Sequence, residues 1–133
     1  MKLSSKTEYA LLALIDLTEQ QDLEYVKIVD ICGRKAIPKK FLEQILLILK
    51  GAGLVRSKRG LDGGYTLAKP PSEITLAQIV RLLDGALASV GSVSTYFYEE
   101  SPIEQNEKLL MVFKDIRDYI SEKMENTTLD QLL

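Results

Sequence analysis

The chain has 133 residues, 46% of them apolar and 27% charged, with a formal net charge of −2. That apolar share supports a packed core and excludes a globally disordered chain, and no apolar run approaches the roughly 20 residues that span a bilayer. One cysteine, Cys32, and no histidine exclude an internal disulfide and imidazole-based catalysis, and leave too few donors for an ordinary zinc or iron–sulfur site.

The length favours one domain, or one domain with an appendage. Ser4 to Gln20 reads as a helix. Ser4 or Ser5 can cap it, with Glu8 placed as a capping box requires. Leu11, Leu14, Ile15 and Leu17, with Ala10 and Leu12, give it a broad apolar face. After a polar stretch, Tyr25 and Val26 read as a short extended segment. A second, shorter helix over Lys27 to Lys35 directs Ile28, Val29, Ile31 and Cys32 inward. A turn at Ala36-Ile37 leads to Pro38, which suits the first position of a third helix because its missing N–H costs nothing there. That helix runs to about Lys50, and Gly51 or Gly53 stops it. Phe41, Leu42, Ile45, Leu46 and Leu49 recur at spacings of three and four, which buries one face. Lys39, Lys40, Glu43 and Gln44 fall largely on the other.

Leu54 to Lys58 and Gly64 to Leu67 read as two short strands joined by the turn-forming tip Arg59-Gly60-Leu61-Asp62-Gly63. Pro70-Pro71 ends this stretch. Thr75 to Asp84 is a fourth helix with Leu76, Ile79, Val80, Leu82 and Leu83 as its apolar set, closed by Gly85. Residues 86–101 have no strong period and read as a loop. A long helix from near Pro102 to about Glu125 carries Leu109, Phe113, Ile116 and Ile120 at spacings of four, three and four, continued by Met124. That is the seam of a packed or coiled helix pair. Leu129, Leu132 and Leu133 give a short amphipathic tail.

Charge is distributed unevenly. From Arg34 to Lys69, nine basic side chains stand against two acidic ones, Glu43 and Asp62, for a local sum of +7. From Pro71 to Leu133, five basic side chains stand against eleven acidic ones, for −6. One part of the chain suits a polyanion and the other does not. Helix, short helix, turn, helix and a hairpin with a basic tip is the order of a winged helix-turn-helix. Its third helix directs N-terminal side chains to base edges in the major groove. Lys39 and Lys40 suit phosphates or guanine O6 and N7, Glu43 suits cytosine N4, and Gln44 suits adenine. Arg59 is the natural minor-groove probe, because a narrow groove concentrates negative potential. Gly60, Gly63 and Gly64 allow tight turning and close backbone approach.

The expected fold is therefore mainly α with a small β-hairpin. A winged helix-turn-helix DNA-binding domain occupies residues 1–84, a linker or effector loop 85–101, and a dimerisation helix with a short tail 102–133. Leu109, Phe113, Ile116, Ile120 and Met124 are the expected dimerisation residues. Enzymatic activity is not expected, since no carboxylate pair stands out from the charged background. The N-terminus lacks the long apolar stretch of a signal peptide, which points to a cytoplasmic protein.

The stretches Leu3-Ser4-Ser5-Lys6-Thr7-Glu8-Tyr9-Ala10, Ile37-Pro38-Lys39-Lys40-Phe41-Leu42-Glu43-Gln44-Ile45-Leu46 and Gly51 to Leu67 resemble the Rrf2 family. These are bacterial winged-helix regulators of the IscR, NsrR, RirA and CymR type. The resemblance spans nearly the whole chain, including Ile74-Thr75-Leu76-Ala77-Gln78-Ile79-Val80 and the ending from Asn126 to Leu132. Its most specific part is Leu42-Glu43-Gln44 together with Arg59-Gly60 and Gly63-Gly64-Tyr65. The resemblance implies a homodimer joined through the long C-terminal helix and bound to a palindromic operator in double-stranded DNA, and the expected role is that of a repressor, although the sequence itself does not distinguish repression from activation. It further implies that Ser5 and Tyr9 lie near the DNA backbone, with Lys39, Lys40 and Glu43 on the recognition helix and Arg59 on the wing. Phe41, Gln44, Lys58, Gly63 and Tyr65 complete the expected DNA-binding set.

Cluster-binding members of that family carry three cysteines in the loop after the fourth helix, and residues 86–101 here have none. The chain looks closer to the cluster-free, CymR-like branch, with no iron–sulfur cofactor and no metal. Regulation in that branch can run through a partner protein or thiol chemistry. Glu8 sits where some relatives supply a cluster ligand and reads here as a helix-start carboxylate. Cys32 is a candidate redox sensor, since Arg34 and Lys35 are close in sequence and cationic neighbours lower a thiol pKa. Its plainer reading is a small buried residue. Tyr96, Phe97 and Tyr98, rimmed by Glu99-Glu100, form a candidate docking site for a partner protein such as a metabolic enzyme. A small-metabolite pocket beneath this loop is the alternative mode of sensing.

Overall fold

A computed structural model describes residues 2–88, 91–95 and 98–133. It divides into two compact units, one of Ser5–Ile74 with Thr128–Leu133 and one of Met1–Ser4 with Thr75–Thr127. Among the described residues no helix is long and apolar enough to cross a membrane.

The first unit contains α1 (Ser5–Glu19), α2 (Ile28–Lys35), α3 (Lys39–Gly51) and the antiparallel strands β1 (Val55–Lys58) and β2 (Gly64–Leu67). The three helices pack pairwise. Leu14 and Leu17 of α1, Ile31 of α2 and Leu42, Ile45, Leu46 and Leu49 of α3 are buried between them. Each such side chain contributes roughly 1.5–3 kcal/mol. The helical core therefore carries the unit, since a two-stranded hairpin is marginal by itself.

Most residues of the apolar faces expected for the first four helices are covered, but Leu12, Val29, Phe41 and Leu82 are exposed. Val29 is 62% exposed, because α2 is only two turns long and directs Ile28, Ile31 and Cys32 along one face that excludes position 29. Leu82 in the other unit is also exposed, being almost opposite the buried Val80 on its helix. The tail buries Leu129 alone, whose N–H bonds the Ile74 carbonyl at 3.0 Å, and leaves Leu132 and Leu133 exposed.

The turns come from single residues. Ala36 ends α2 in the left-handed conformation at φ 52°, where a β-carbon is disfavoured. Pro38 stands one position earlier than expected, as the N-cap of α3. Its ψ of 132° is still extended while its carbonyl already accepts the Leu42 N–H at 3.0 Å. At the far end of α3 the Leu54 N–H reaches the Leu49 carbonyl at 2.9 Å and the Gly53 N–H reaches that of Lys50 at 3.0 Å. This paired closure needs a left-handed residue, and Gly53 supplies it at φ 76°.

The second unit pairs α4 (Leu76–Asp84) with α5 (Glu107–Glu125). Thr75 and Gln78 form a reciprocal capping box at the start of α4. Ala77, Val80 and Leu87 make a small core with Leu3, Ile120 and Met124. Arg81 reinforces it with bonds to Glu125 Oε1 at 2.8 Å and Ser121 Oγ at 3.3 Å. So α4, which the sequence reading groups with residues 1–84, builds its core with α5. The long helix expected from Pro102 is interrupted. A single 3-10 turn, Pro102–Gln105, ends at Asn106, whose φ of −120° and ψ of 105° leave the helix. The Asn106 side chain then caps α5 by accepting the Leu109 N–H at 2.9 Å.

Within the loop, a 3-10 turn at Gly91–Val93 is held to α5 by the Arg117 guanidinium, which donates to the Val93 carbonyl at 3.0 Å. Ser92 and Ser101 share a 2.5 Å hydroxyl bond. Tyr96 and Phe97, two of the expected partner-docking aromatics, lie outside the described residues.

Candidate nucleic-acid interface

The exposed face of α3 carries Lys39, Lys40, Phe41, Glu43 and Gln44, directly over the buried Leu42, Ile45, Leu46 and Leu49. Lys39 Nζ and Glu43 Oε1 stand 4.0 Å apart with both side chains well exposed. Such a pair is worth under about 1 kcal/mol, so both groups stay free to exchange it for an external partner. Phe41 departs from the buried set that its spacing suggests and is exposed. It lies on the first turn of α3, where Tyr9 of α1 packs on it with ring centroids 5.8 Å apart and planes tilted by 55°. An edge-tilted pair of this kind adds about 0.5–1.5 kcal/mol. It fixes the first turns of α1 to the first turn of α3, which brings Ser5 and Tyr9 to the end of the unit that carries Lys39 and Lys40.

The hairpin is held from three sides. Strand register pairs Arg56 with Thr66, Ser57 with Tyr65 and Lys58 with Gly64. Val26 adds a third edge, exchanging two 2.8 Å backbone bonds with Tyr65. Lys58 Nζ sits 5.6 Å from the Tyr25 ring centroid, an attraction of about 0.5–1 kcal/mol at an exposed site. Lys27 Nζ donates to the Leu61 carbonyl at 2.5 Å. A β-carbon on Gly63 would stand 2.2 Å from the Lys58 carbonyl oxygen, so that glycine is demanded by the tip itself. Arg59, at the start of the tip, is exposed and has no ion pair among the described residues.

Two of the nine cations counted along this stretch are spoken for. The Arg34 guanidinium grips Asp16 of α1 with Nε–Oδ1 at 2.7 Å and Nη2–Oδ2 at 2.9 Å. Lys35 Nζ meets Glu19 Oε1 at 2.6 Å. The hydrogen bond to Asp16 is the main reason that the Arg34 pKa rises above the usual arginine value. The cations available to a polyanion are therefore Lys39, Lys40, Lys50, Arg56, Lys58, Arg59 and Lys69. The same pairing bears on Cys32, which is half-buried: the cations expected to activate its thiol are held by Asp16 and Glu19. A signal for this existed in the sequence, since Asp16 is a lone acid among Ala13, Leu14 and Leu17 on a buried helical face.

The seam residues of α5 separate into two sets. Ile120 and Met124 pack against Ala77, Val80 and Leu87 within their own unit, and Phe113 is half-buried. Leu109 and Ile116 are exposed together with Met111, Val112 and Tyr119. Leu109, Val112, Ile116 and Tyr119 follow one another at three, four and three, a helical stripe rotated away from the anticipated one.

A model of the family described as "Rrf2: Iron-dependent Transcriptional regulator" matches residues 3–133. The chain is similar to an HTH-type transcriptional regulator of Mycobacterium tuberculosis, at 43% identity over 70% of this chain and 58% of that protein. The match thus spans under two thirds of that relative's length. It is similar to the HTH-type transcriptional regulator CymR of Bacillus subtilis at 32% identity, over 99% of this chain and 89% of that one. The solved structure of the B. subtilis CymR, described as a global cysteine regulator, matches with a TM-score of 0.80 at 31% identity over 99% and 95% of the two chains. The structure of T. potens IscR matches with a TM-score of 0.77 at 29% identity over 99% and 85%.

The donors present do not fit a cysteine-ligated iron–sulfur cluster. Residues 86–101 contain neither cysteine nor histidine, and Cys32 is the chain's one thiol. Of the carboxylates that follow the loop, Glu104 is engaged by the Tyr98 hydroxyl at 2.5 Å and by the Ser101 N–H at 3.4 Å. Among the described residues no group of three His, Cys, Asp or Glu side chains is disposed to hold a metal ion.

Proposed function

This chain belongs to the Rrf2 family of transcriptional regulators, and from that membership we propose that it is a repressor that binds a palindromic operator as a homodimer. The single observation that carries the DNA-binding reading is the polar face of α3. Lys39, Lys40, Glu43 and Gln44 are all exposed over a fully buried apolar face, beside a hairpin braced by Val26, Lys27 and Tyr25. Lys40 supplies a phosphate or guanine contact, Glu43 and Gln44 read bases in the major groove, and Arg59 enters the minor groove. Tyr9, packed on Phe41, and Ser5 one turn before it on α1 meet the backbone of the same duplex.

The test is fluorescence anisotropy on genomic fragments recovered by the protein itself, titrated at several salt concentrations. Arg59→Ala should cost about 1–3 kcal/mol of binding free energy, and Lys40→Ala should lower the log–log salt slope by about 1 if Lys40 meets a phosphate. Wild-type affinity in both variants would refute this assignment of contacts.

The exposed stripe Leu109, Val112, Ile116 and Tyr119 supports the homodimer. Tyr119 is 74% exposed in one chain, and an apolar stripe of this length on a helix with no buried residue calls for a partner surface. An isologous pairing places the same stripe on both copies. Val112→Glu should convert the dimer to monomer in sedimentation velocity at micromolar concentration, with the helical circular dichroism of the chain preserved. Ile120→Glu should instead lower thermal stability, because Ile120 packs inside its own unit.

A further inference from the structure

Leu61, at the tip of the hairpin, is 90% exposed, more than any other large apolar side chain among the described residues. A solitary exposed leucine needs no explanation. Its mounting does. The Leu61 carbonyl takes the Lys27 ammonium at 2.5 Å, from the residue that opens α2, and the Gly63 N–H closes on the Gly60 carbonyl at 3.1 Å. Reversing two strands requires no bond to a helix elsewhere in the unit. The bond steadies the Leu61 backbone while the side chain stays in solvent, so the backbone share of the ordering cost of a contact there is met before the contact forms. Two residues earlier stands the exposed Arg59.

An apolar group carried beside an unpaired arginine on a rigid tip matches the minor groove, whose potential is negative and whose base steps accept apolar wedges. There the A·T and T·A pairs present only acceptors, whereas G·C adds the guanine 2-amino group on the groove floor. A leucine has nothing to accept that donor with and would strip it of water. We propose that Leu61 is a specificity-determining residue of the wing, packing into the minor groove next to Arg59 and selecting A·T over G·C at the pair it covers. The proposal rests on the DNA-binding reading above. Asp62 offers the opposite chemistry, because a carboxylate on the groove floor would accept from the 2-amino group and favour G·C.

Duplexes enriched from a random library by the intact protein supply the probe. At each A·T pair of the enriched flank, one set of duplexes carries G·C and a second carries inosine·cytosine, which keeps the new major-groove edge but lacks the 2-amino group. At one position, wild type should bind the G·C duplex roughly fivefold more weakly than the inosine duplex, the lower end of the penalty for one wrong pair. In Leu61→Ala that difference should fall below about twofold, with binding still salt-dependent and still sensitive to pairs read by α3. Equal discrimination by Leu61→Ala and wild type would overturn the proposal, as would stronger binding to G·C than to inosine·cytosine, which assigns the reading to Asp62. If the wild-type protein enriches no duplex, the DNA-binding reading itself falls.

Discussion

Replacing Gly64 with alanine is expected to cost about 3 kcal/mol of stability and to abolish specific DNA binding at the same time. Gly64 has φ 148°, and a β-carbon there would stand 2.3 Å from the Val26 carbonyl oxygen and 2.6 Å from its carbon. No rotamer relieves this, since both atoms are backbone. The chain must either open the Val26–Tyr65 bridge, losing its two 2.8 Å bonds, or tilt β2 and with it the tip that carries Arg59. Gly60 provides the control. It also has a positive φ, 105°, yet nothing lies within 4 Å of an added β-carbon, so Gly60→Ala should cost only about 1 kcal/mol, from backbone strain. Urea denaturation of both variants separates the two cases, and anisotropy on an operator fragment follows the wing. If Gly64→Ala proves as stable as Gly60→Ala, the third edge supplied by Val26 yields freely and does not brace the wing.

The residues that made this fold legible are those whose type admits one reading. Pro38, Gly53, Gly63 and Gly64 marked a helix start, a helix stop and a hairpin, and the three-and-four spacing of Leu42, Ile45, Leu46 and Leu49 marked the buried face of α3. What stayed hidden depended on partners distant in sequence. Counting charge along the chain included Arg34 and Lys35 in the basic stretch, because their acids, Asp16 and Glu19, lie on another helix. The repeat on α5 was sound as a helical pattern, but periodicity does not say which apolar stripe faces the chain's own core. Ile120 and Met124 face Ala77 and Val80, and this turns Val112 and Tyr119 outward. Asn106 is compatible with a helix interior or a cap, and only the Leu109 N–H that it accepts decides the matter. Phe41 looked buried because its period matched Ile45, yet on that first turn Leu42 takes the buried position and Phe41 stays exposed, with Tyr9 packed on its ring.

The second large effect is expected from the Asp16–Arg34 pair, and its two halves should not be equivalent. The Asp16 side chain is 1% exposed whereas that of Arg34 is 38% exposed. Arg34→Met strands a buried carboxylate without its cation, and breaking a buried pair from that side costs about 3 kcal/mol or more. Asp16→Asn leaves an arginine that already reaches water and an amide oxygen that still accepts one of its N–H groups, so the loss should be about 1 kcal/mol. Chemical denaturation of both variants at neutral pH reads the difference. Equal losses would mean that the Asp16–Arg34 pair is not what fastens α2 to α1. A larger loss in Arg34→Met makes the pair the fastener that sets α2, and with it the turn at Ala36, against α1. It would also explain why a regulator that needs cations for DNA withholds this one: its charge is spent on a carboxylate that the core cannot otherwise hold.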